Sequence, residues 1–438
     1  MYSTTPAYNL KAVLKETGIA ADTLRAWERR YGLPLPQRSP GGHRLYSQRD
    51  IETIKWLMGR QAEGLSISRA VDLWNEQIAS GSDPLADSKA LSSSALTSFS
   101  SINTTLDTQR TRWIQACMEF NESAAEQTLN QAFSLFPVEA VCVNVLQKGM
   151  SQIGERWYEN HATAQQEHFA SGLAMRRLDA LLSAAPAPTQ NKTVLVGCPP
   201  DEWHTFTPLL LALLLRRRGM NMIYLGANVP AERFTNTIKD ARADLVVLVA
   251  QQLISAATLQ QTALVLSNKK IPVAFGGRIF NIHPALAESI AGIFLGSELS
   301  SAVDEIEMIL TTRIEQKQPK AASQAYVAAQ QAYQSQKAQI ELTVKQMLEP
   351  LAISPEDIRT SVHFLGKNIS AALQLGNTTY LSAEVDWLKS LLQAYERPPQ
   401  QLIHFMEVYS RAVDKNINGQ GRPIFDWFSA EIRKLKAA

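Results

Sequence analysis

Between residues 192 and 312 short apolar runs alternate with longer helical stretches. The runs cover 193–197, 222–225, 245–250, 271–275 and 292–295, and a helix over 209–218 fills one of the gaps. Runs that are apolar throughout fit strands buried on both faces. Their alternation with helices predicts a parallel sheet with crossover helices. On both sides of this region the pattern is helical. Residues 108–185 carry apolar positions three and four apart, without β-branched runs, until Pro186 and Pro188 end them. Residues 336–438 predict a last helical domain, with helices over 381–395 and 400–416 and with Trp387, Tyr395, Tyr409, Phe425 and Trp427 on core faces.

The amino-terminal 76 residues are compact and rich in helix signals. Residues 80–101 hold nine serines and one aromatic, Phe99, the composition of a flexible linker. Residues 313–335, rich in Gln, Ala and Lys, read as a helical or loose connector. The expected fold is multidomain, α and α/β. A winged helix-turn-helix spans 1–78, a Ser-rich linker 79–106 and a four-helix bundle 107–188. A Rossmann-like (flavodoxin-like) parallel sheet spans 189–313, a connector 314–335 and a carboxy-terminal helical domain 336–438.

Composition narrows the class. The 438 residues are 45% apolar and 19% charged, ordinary for a soluble globular protein. The net charge is only +2, so a nucleic-acid signal must come from a local patch. The start lacks the pattern of a secretory signal, and the longest apolar stretch, 208–215, is far shorter than a membrane span. Cys117, Cys142 and Cys198 are widely spaced and odd in number, which argues against a disulfide framework or a cysteine zinc site. A cytoplasmic protein without membrane attachment is expected.

Two places carry chemistry. His204 follows the 193–197 run, where open α/β sheets bind ligands past the carboxyl ends of their strands. Glu202 stands two residues before it, an acceptor able to fix the imidazole tautomer of a metal ligand. The second place is the amino terminus. A helix over 9–20 ends near Gly18, and a second opens at Asp22 or Thr23 as N-cap. The second helix sets Arg25, Arg29 and the neighbouring Arg30 on one side. Pro34 and Pro36 read as a rigid connection, and the segment from Gly41 and Gly42 through His43, Arg44 and Tyr46 as a hairpin wing. Residues 23–60 hold eight Lys/Arg against three Asp/Glu, a footprint for phosphate contact.

The strings LRAWERRYG and SPGGHRLYSQRDI, within residues 8–76, resemble the DNA-binding domain of the MerR family of transcription regulators. The resemblance implies that Arg25, Arg29, Arg30, His43, Arg44 and Tyr46 face a double-stranded DNA operator, that Trp27 packs the core, and that the protein acts as a homo-oligomer. Residues 190–312 resemble the cobalamin-binding domain of corrinoid proteins through Glu202, His204, Gly226, Gly276 and Gly277. His204 is then the lower axial ligand of cobalt, with the displaced nucleotide tail running toward the Gly-Gly. Trp157, nine intervening residues, and Glu167-His168 are similar to the signature of cobalamin-dependent photoreceptor repressors of the CarH/LitR type. By that likeness Trp157 packs on a 5′-deoxyadenosyl group, Glu167 bonds its polar edge and His168 supports the site.

Three positions depart from the pattern. Thr207 stands where the family has glycine, and Gln251 where it has a serine that contacts the nucleotide base. Tyr158 stands where a photoreceptor has the histidine that takes cobalt after light. His161, three residues on, can substitute for it only on a continuous helix. The resemblance implies a regulator, not an enzyme: a repressor controlled by adenosylcobalamin, its cobalt, and photolysis by light. The alternatives are a light-independent cobalamin sensor, or a cofactor-free regulator controlled by a protein partner. The carboxy-terminal domain offers that partner, or a second copy, a docking surface. A corrinoid subunit of a methyltransferase or mutase leaves the DNA-binding head unexplained.

Overall fold

The computed structural model describes residues 3–19, 21–38, 44–62, 65–79, 83–85, 95–159, 161–312, 318–348, 355–394, 398–417 and 419–437. The chain divides into two compact units, residues 1–112 with 126–145 and residues 113–125 with 146–438.

The first unit begins with β1 (Pro6–Asn9) and α1 (Leu10–Thr17). Asn9 caps α1 by accepting the Ala12 amide at 2.9 Å, and Gly18, at φ +73°, closes it. Helix α2 (Ala21–Tyr31) starts earlier than an N-cap at Asp22 or Thr23 would allow. Asp22 instead lies in its first turn, where a carboxylate favours the exposed amides, and pairs with Arg25 at 3.5 Å. Strands β2 (Gln37–Arg38) and β3 (Arg44–Ser47) form the antiparallel hairpin, and β1 pairs with the other edge of β3. At four residues with little apolar alternation, β1 left no sequence signal of its own. Helices α3 (Gln48–Ala62) and α4 (Ile67–Ala79) complete a small core that includes Val13, Leu24, Trp27, Ile54 and Trp74.

Helix α5 (Ala95–Met118) begins inside the span expected to be a linker. Once its packed carboxy-terminal turns exist, each further residue costs only its modest helix propensity, so a Ser/Thr-rich extension follows. Next come α6 (Glu122–Leu135), α7 (Val138–Val141), a π-helical turn at Cys142–Gln147 and α8 (Lys148–Tyr158). Helix α9 (Ala164–Ser183) is separate from α8. Thr163 opens it in a capping box with Gln166, whose side chain accepts the Thr163 amide at 2.8 Å.

In the second unit, five parallel strands stand in the order β5–β4–β6–β7–β8. They are β4 (Thr193–Gly197), β5 (Asn221–Gly226), β6 (Leu245–Val249), β7 (Val273–Gly276) and β8 (Ile293–Phe294). The intervening helices are α10 (Phe206–Arg217), α11 (Phe234–Ala241), α12 (Leu253–Asn268) and α13 (Arg278–Ile282), and α14 (Leu299–Thr311) follows β8. This is the flavodoxin-like order, with its switch point between β4 and β6. Helix α10 is buried from Pro208 to Leu215, because the sheet lies against one side of it and α9 against another.

The carboxy-terminal helices are α15 (Gln324–Leu348), α16 (Pro355–Gln374), α17 (Ser382–Ala394), α18 (Pro399–Ile417) and α19 (Arg422–Ala437). Helix α15 takes up much of the expected connector. Its Ala329 and Tyr333 are buried, so residues 324–335 belong to the bundle. One apolar core runs from Val246 and Phe275 of the sheet through Leu259 of α12 to Leu365 and Tyr409 of the bundle. Tyr409 and Trp427 lie in that core, Phe425 packs against it, Trp387 is half-buried, and Tyr395 lies outside the described residues. Among the described residues, no helix is long and apolar enough to cross a membrane.

Candidate functional site

The loop after β4 carries Glu202 and His204 to the switch point. Two neighbours hold it. Asn228, past β5, accepts the Asp201 amide at 3.0 Å and donates its own amide to the Glu202 carbonyl at 2.9 Å. Thr258 of α12 donates to the Pro200 carbonyl. Gly226, at φ +75°, accepts the Cys198 amide, so it shapes the bend into this loop. The histidine is therefore presented by a braced backbone.

Glu202 is wholly buried, and its two oxygens are shared among four donors. Oε1 accepts the His204 amide at 2.9 Å and faces His204 Nδ1 at 2.7 Å. Oε2 accepts the Gln251 amide and the Ser255 hydroxyl, each at 2.6 Å. Burial pushes this carboxyl up, but the bonds from His204, Ser255 and Gln251 outweigh it and leave the pKa lowered. The His204 pKa is raised, chiefly by its bond to Glu202 and further by the charge of Glu167, against burial and Arg278. A carboxylate only accepts, so Nδ1 of the neutral ring carries the proton and Nε2 offers its lone pair. The His204 side chain keeps 57% of its surface exposed. A single imidazole held in this way suits a metal that brings the rest of its own coordination.

Beside this loop lies a cavity of about 270 Å³, walled by the ends of β6, β7 and β8, by α10 and α14, and by Met150 and Ser151 of α8. Gln251, Gly276, Gly277 and Thr207 line it, so the side chain of Thr207 stands at its wall. A methyl group on Gly276 would meet no neighbour, which leaves the cradle open to a ligand. Gly277 has φ +127°, and a Cβ there would lie 1.9 Å from the Ala250 carbonyl oxygen. Gln251 accepts the Arg278 amide at 2.9 Å across the cavity rim. The glycine cradle and these polar groups fit the nucleotide tail of a corrinoid.

Trp157 is the last residue but one of α8, and its ring lies 6.0 Å from that of Trp387 in α17. Glu167 sits in the first turn of α9 and His168 directly after it, with His168 Nδ1 2.7 Å from Glu167 Oε2. His161 does not meet the condition set for it. The helix breaks after Tyr158, and His161 lies in the loop, 72% exposed, with Nδ1 3.4 Å from Glu159. Glu159, His161 and Thr163 are exposed, so no packing draws this stretch into a continuous helix.

In the first unit, Arg25, Arg29 and Arg30 are exposed on α2, and Trp27 is buried. His43 lies outside the described residues. Tyr46 corrects its expected place on the DNA face. It is fully buried, and its hydroxyl donates to Glu28 at 2.5 Å. On a strand, alternate residues face opposite sides, and Tyr46 points inward. Arg44 is partly exposed and bridges to the same Glu28 at 2.9 Å. Sequence reasoning missed Ser255, a polar residue buried in the apolar run Leu253–Leu259. It also missed Arg278, which directly follows the Gly-Gly. Neither stands out in the sequence, and Ser255 gains its partner only when α12 packs beside the loop after β4.

The comparisons follow the same division. Residues 8–77 match the MerR HTH family regulatory protein model, and residues 109–182 and 192–300 each match a B12 binding domain model. The HTH-type transcriptional repressor CarH of Myxococcus xanthus is 30% identical over 295 residues, 66% of this chain and 96% of that protein. The chain belongs to the CarH-like family of MerR regulators with cobalamin-binding domains. The repressor CarA of the same organism is 28% identical over 309 residues, 68% of this chain and 95% of that protein. The solved Methanosarcina barkeri monomethylamine corrinoid protein is 16% identical and covers 45% of this chain and 96% of its own, with a TM-score of 0.40. As a CarH-like regulator, the chain is a DNA-binding, B12-linked regulator.

Proposed function

We propose that this chain is a repressor whose hold on DNA is set by adenosylcobalamin and relieved by light. His204 would hold the cobalt through Nε2, and Glu202 with Ser255 would fix its tautomer. Gln251, Gly276 and Gly277 receive the nucleotide tail. Trp157 shields the upper ligand from water, Glu167 accepts from its polar edge, and His168 supports Glu167. Gly226 acts indirectly, through the bend of the histidine loop. Adenosylcobalamin, when bound, supplies a cobalt–carbon bond that visible light breaks. Arg25, Arg29, Arg30, Arg44 and His43 contact the operator. Assembly into a dimer or tetramer multiplies those contacts, so a change at Trp157 reaches DNA as a loss of avidity.

The observation that carries this reading is the bond of His204 to a buried, fully satisfied Glu202 beside an open glycine cradle. The test is the absorption spectrum of protein mixed with adenosylcobalamin in the dark, passed through gel filtration, and then exposed to green light. Retained cobalamin bands that change with light, together with a light-driven loss of operator binding, are expected. His204→Ala should abolish the histidine-ligated spectrum. Absence of bands from the wild-type protein would remove the reading. Tyr158, and the looped, exposed His161, favour a second reading, a sensor of cobalamin that does not need light. Cobalamin bands whose photolysis leaves operator binding unchanged would select it.

A further inference from the structure

The carboxy-terminal bundle touches both the helix that carries Trp157 and the loop that carries His204. Three contacts place it. Trp387 of α17 lies 6.0 Å, ring to ring, from Trp157 and 5.3 Å from Phe364 of α16. Lys367, one turn beyond Phe364, bridges at 3.3 Å to Asp201 in the histidine loop. Gln374 of α16 donates to the Ala257 carbonyl at 2.6 Å and to the Gln260 side chain at 3.1 Å, which fixes α16 along α12. Glu384 lies three residues before Trp387 and so on the same side of α17.

We propose that α17 is a wall of the chamber above the corrin, where Trp387 backs Trp157 and Glu384 offers a carboxyl to the polar edge of a nucleoside-sized upper ligand. The proposal rests on the cobalamin reading above. A ribose and an adenine present hydroxyls, an amino group and a flat apolar face. A carboxyl next to a tilted pair of indoles matches all three. Burial pushes the Glu384 carboxyl up, and the charge of Arg278 opposes that rise. Trp387 of α17 against Trp157, and Lys367 of α16 against Asp201, put the bundle and the cobalt ligand around a common space. The bundle thus ties the helix that carries Trp157 to the loop that carries His204, and a ligand that moves Trp157 acts on both.

The test is titration of the full-length chain in the dark with adenosylcobalamin, methylcobalamin and hydroxocobalamin, read as equilibrium affinity. Trp387→Ala should weaken adenosylcobalamin about tenfold, the worth of a lost aromatic pair. Affinities for the two smaller forms should stay within about twofold of wild type. Glu384→Ala, at a half-buried position that tolerates truncation, should weaken adenosylcobalamin about fivefold, as for one hydrogen bond. It carries the test if Trp387→Ala does not fold. Equal weakening of all three forms would make α17 a structural support only and overturn the proposal. Unchanged or tighter adenosylcobalamin binding would also overturn it, the tighter case marking Trp387 as an obstacle to the ligand. If the wild-type chain binds none of the three forms, the cobalamin reading itself fails. If it binds them and the variants do not differ, only the role of α17 fails.

Discussion

His204 Nδ1 lies 2.7 Å from Glu202 Oε1, and of this pair the acid is wholly buried whereas the histidine keeps 57% of its side chain open. The buried partner decides what the open one presents. With four donors around it, Glu202 works only as an acceptor. Glutamine in its place brings an amide NH2 group among two backbone amides that can only donate, the Ser255 hydroxyl and the His204 ring. With its oxygen turned to the Gln251 amide and Ser255, the NH2 faces Nδ1, which must then accept. The proton moves to Nε2, and the lone pair meant for cobalt is lost. Glu202→Gln should therefore weaken hydroxocobalamin about 10- to 100-fold, the usual range for such outer partners. It should also shift the spectrum of the bound form away from histidine ligation. A wild-type spectrum and affinity in this variant would exclude the coupling.

The same pair gives the cofactor-free protein a pH signature. The Glu202 pKa is lowered from 4.5, so its contribution to stability is fully present above 4.5 and is lost as pH falls through the lowered value. The His204 pKa is raised from 6.5, so its contribution is fully present below 6.5 and is lost as pH rises through the raised value. The pair stabilises the fold most between those limits. Urea midpoints of the apo-protein, followed from about pH 4 to pH 9, should carry this maximum. In His204→Ala the decline on the alkaline side should be absent. An unaltered profile in that variant would show that the ion pair contributes nothing to stability.

The sheet was legible because buried parallel strands leave continuous apolar runs, and His204 was legible because it follows one of them. Residues set by long-range packing were not. Ser255 reads as one more small residue on an apolar helix until α12 is placed beside the loop after β4. Tyr46 reads as a surface aromatic in a basic wing until the pairing of β1 with β3 fixes which side of the strand is inside. The gap between α8 and α9 turns on a capping box at Thr163 and Gln166, four residues inside what reads as continuous helical sequence. Glu384 and Trp387 carry no motif at all. They gain meaning only when the shared core sets the carboxy-terminal bundle against the cofactor domain.

Adjacent glycines separate two roles. A methyl group on Gly276 points into open space at the cavity, whereas one on Gly277 meets the Ala250 carbonyl at 1.9 Å on a backbone held at φ +127°. Gly276→Ala should unfold like wild type and yet bind adenosylcobalamin more weakly, because its methyl group narrows the cradle. Gly277→Ala should lose about 1–3 kcal/mol of stability before any ligand is added, from a conformation that side chains resist. Paired urea melts and cobalamin titrations check both. A destabilised Gly276→Ala with wild-type affinity would reverse the assignment.

On the DNA side, exposure decides which residues can touch phosphate. Arg29 and Arg30 are exposed on α2, whereas Tyr46 is buried with its hydroxyl on Glu28. Arg29→Ala and Arg30→Ala should each lower the slope of log affinity against log salt by about 1, measured by anisotropy on a random-sequence duplex. Tyr46→Phe should leave that slope unchanged, because no phosphate contact is removed. Its effect is on folding. The loss of one hydrogen bond to a partly buried carboxylate costs about 1 kcal/mol, and Arg44, which bridges to the same Glu28, limits the loss. A smaller salt slope in Tyr46→Phe, with unchanged stability, would return this tyrosine to the DNA face.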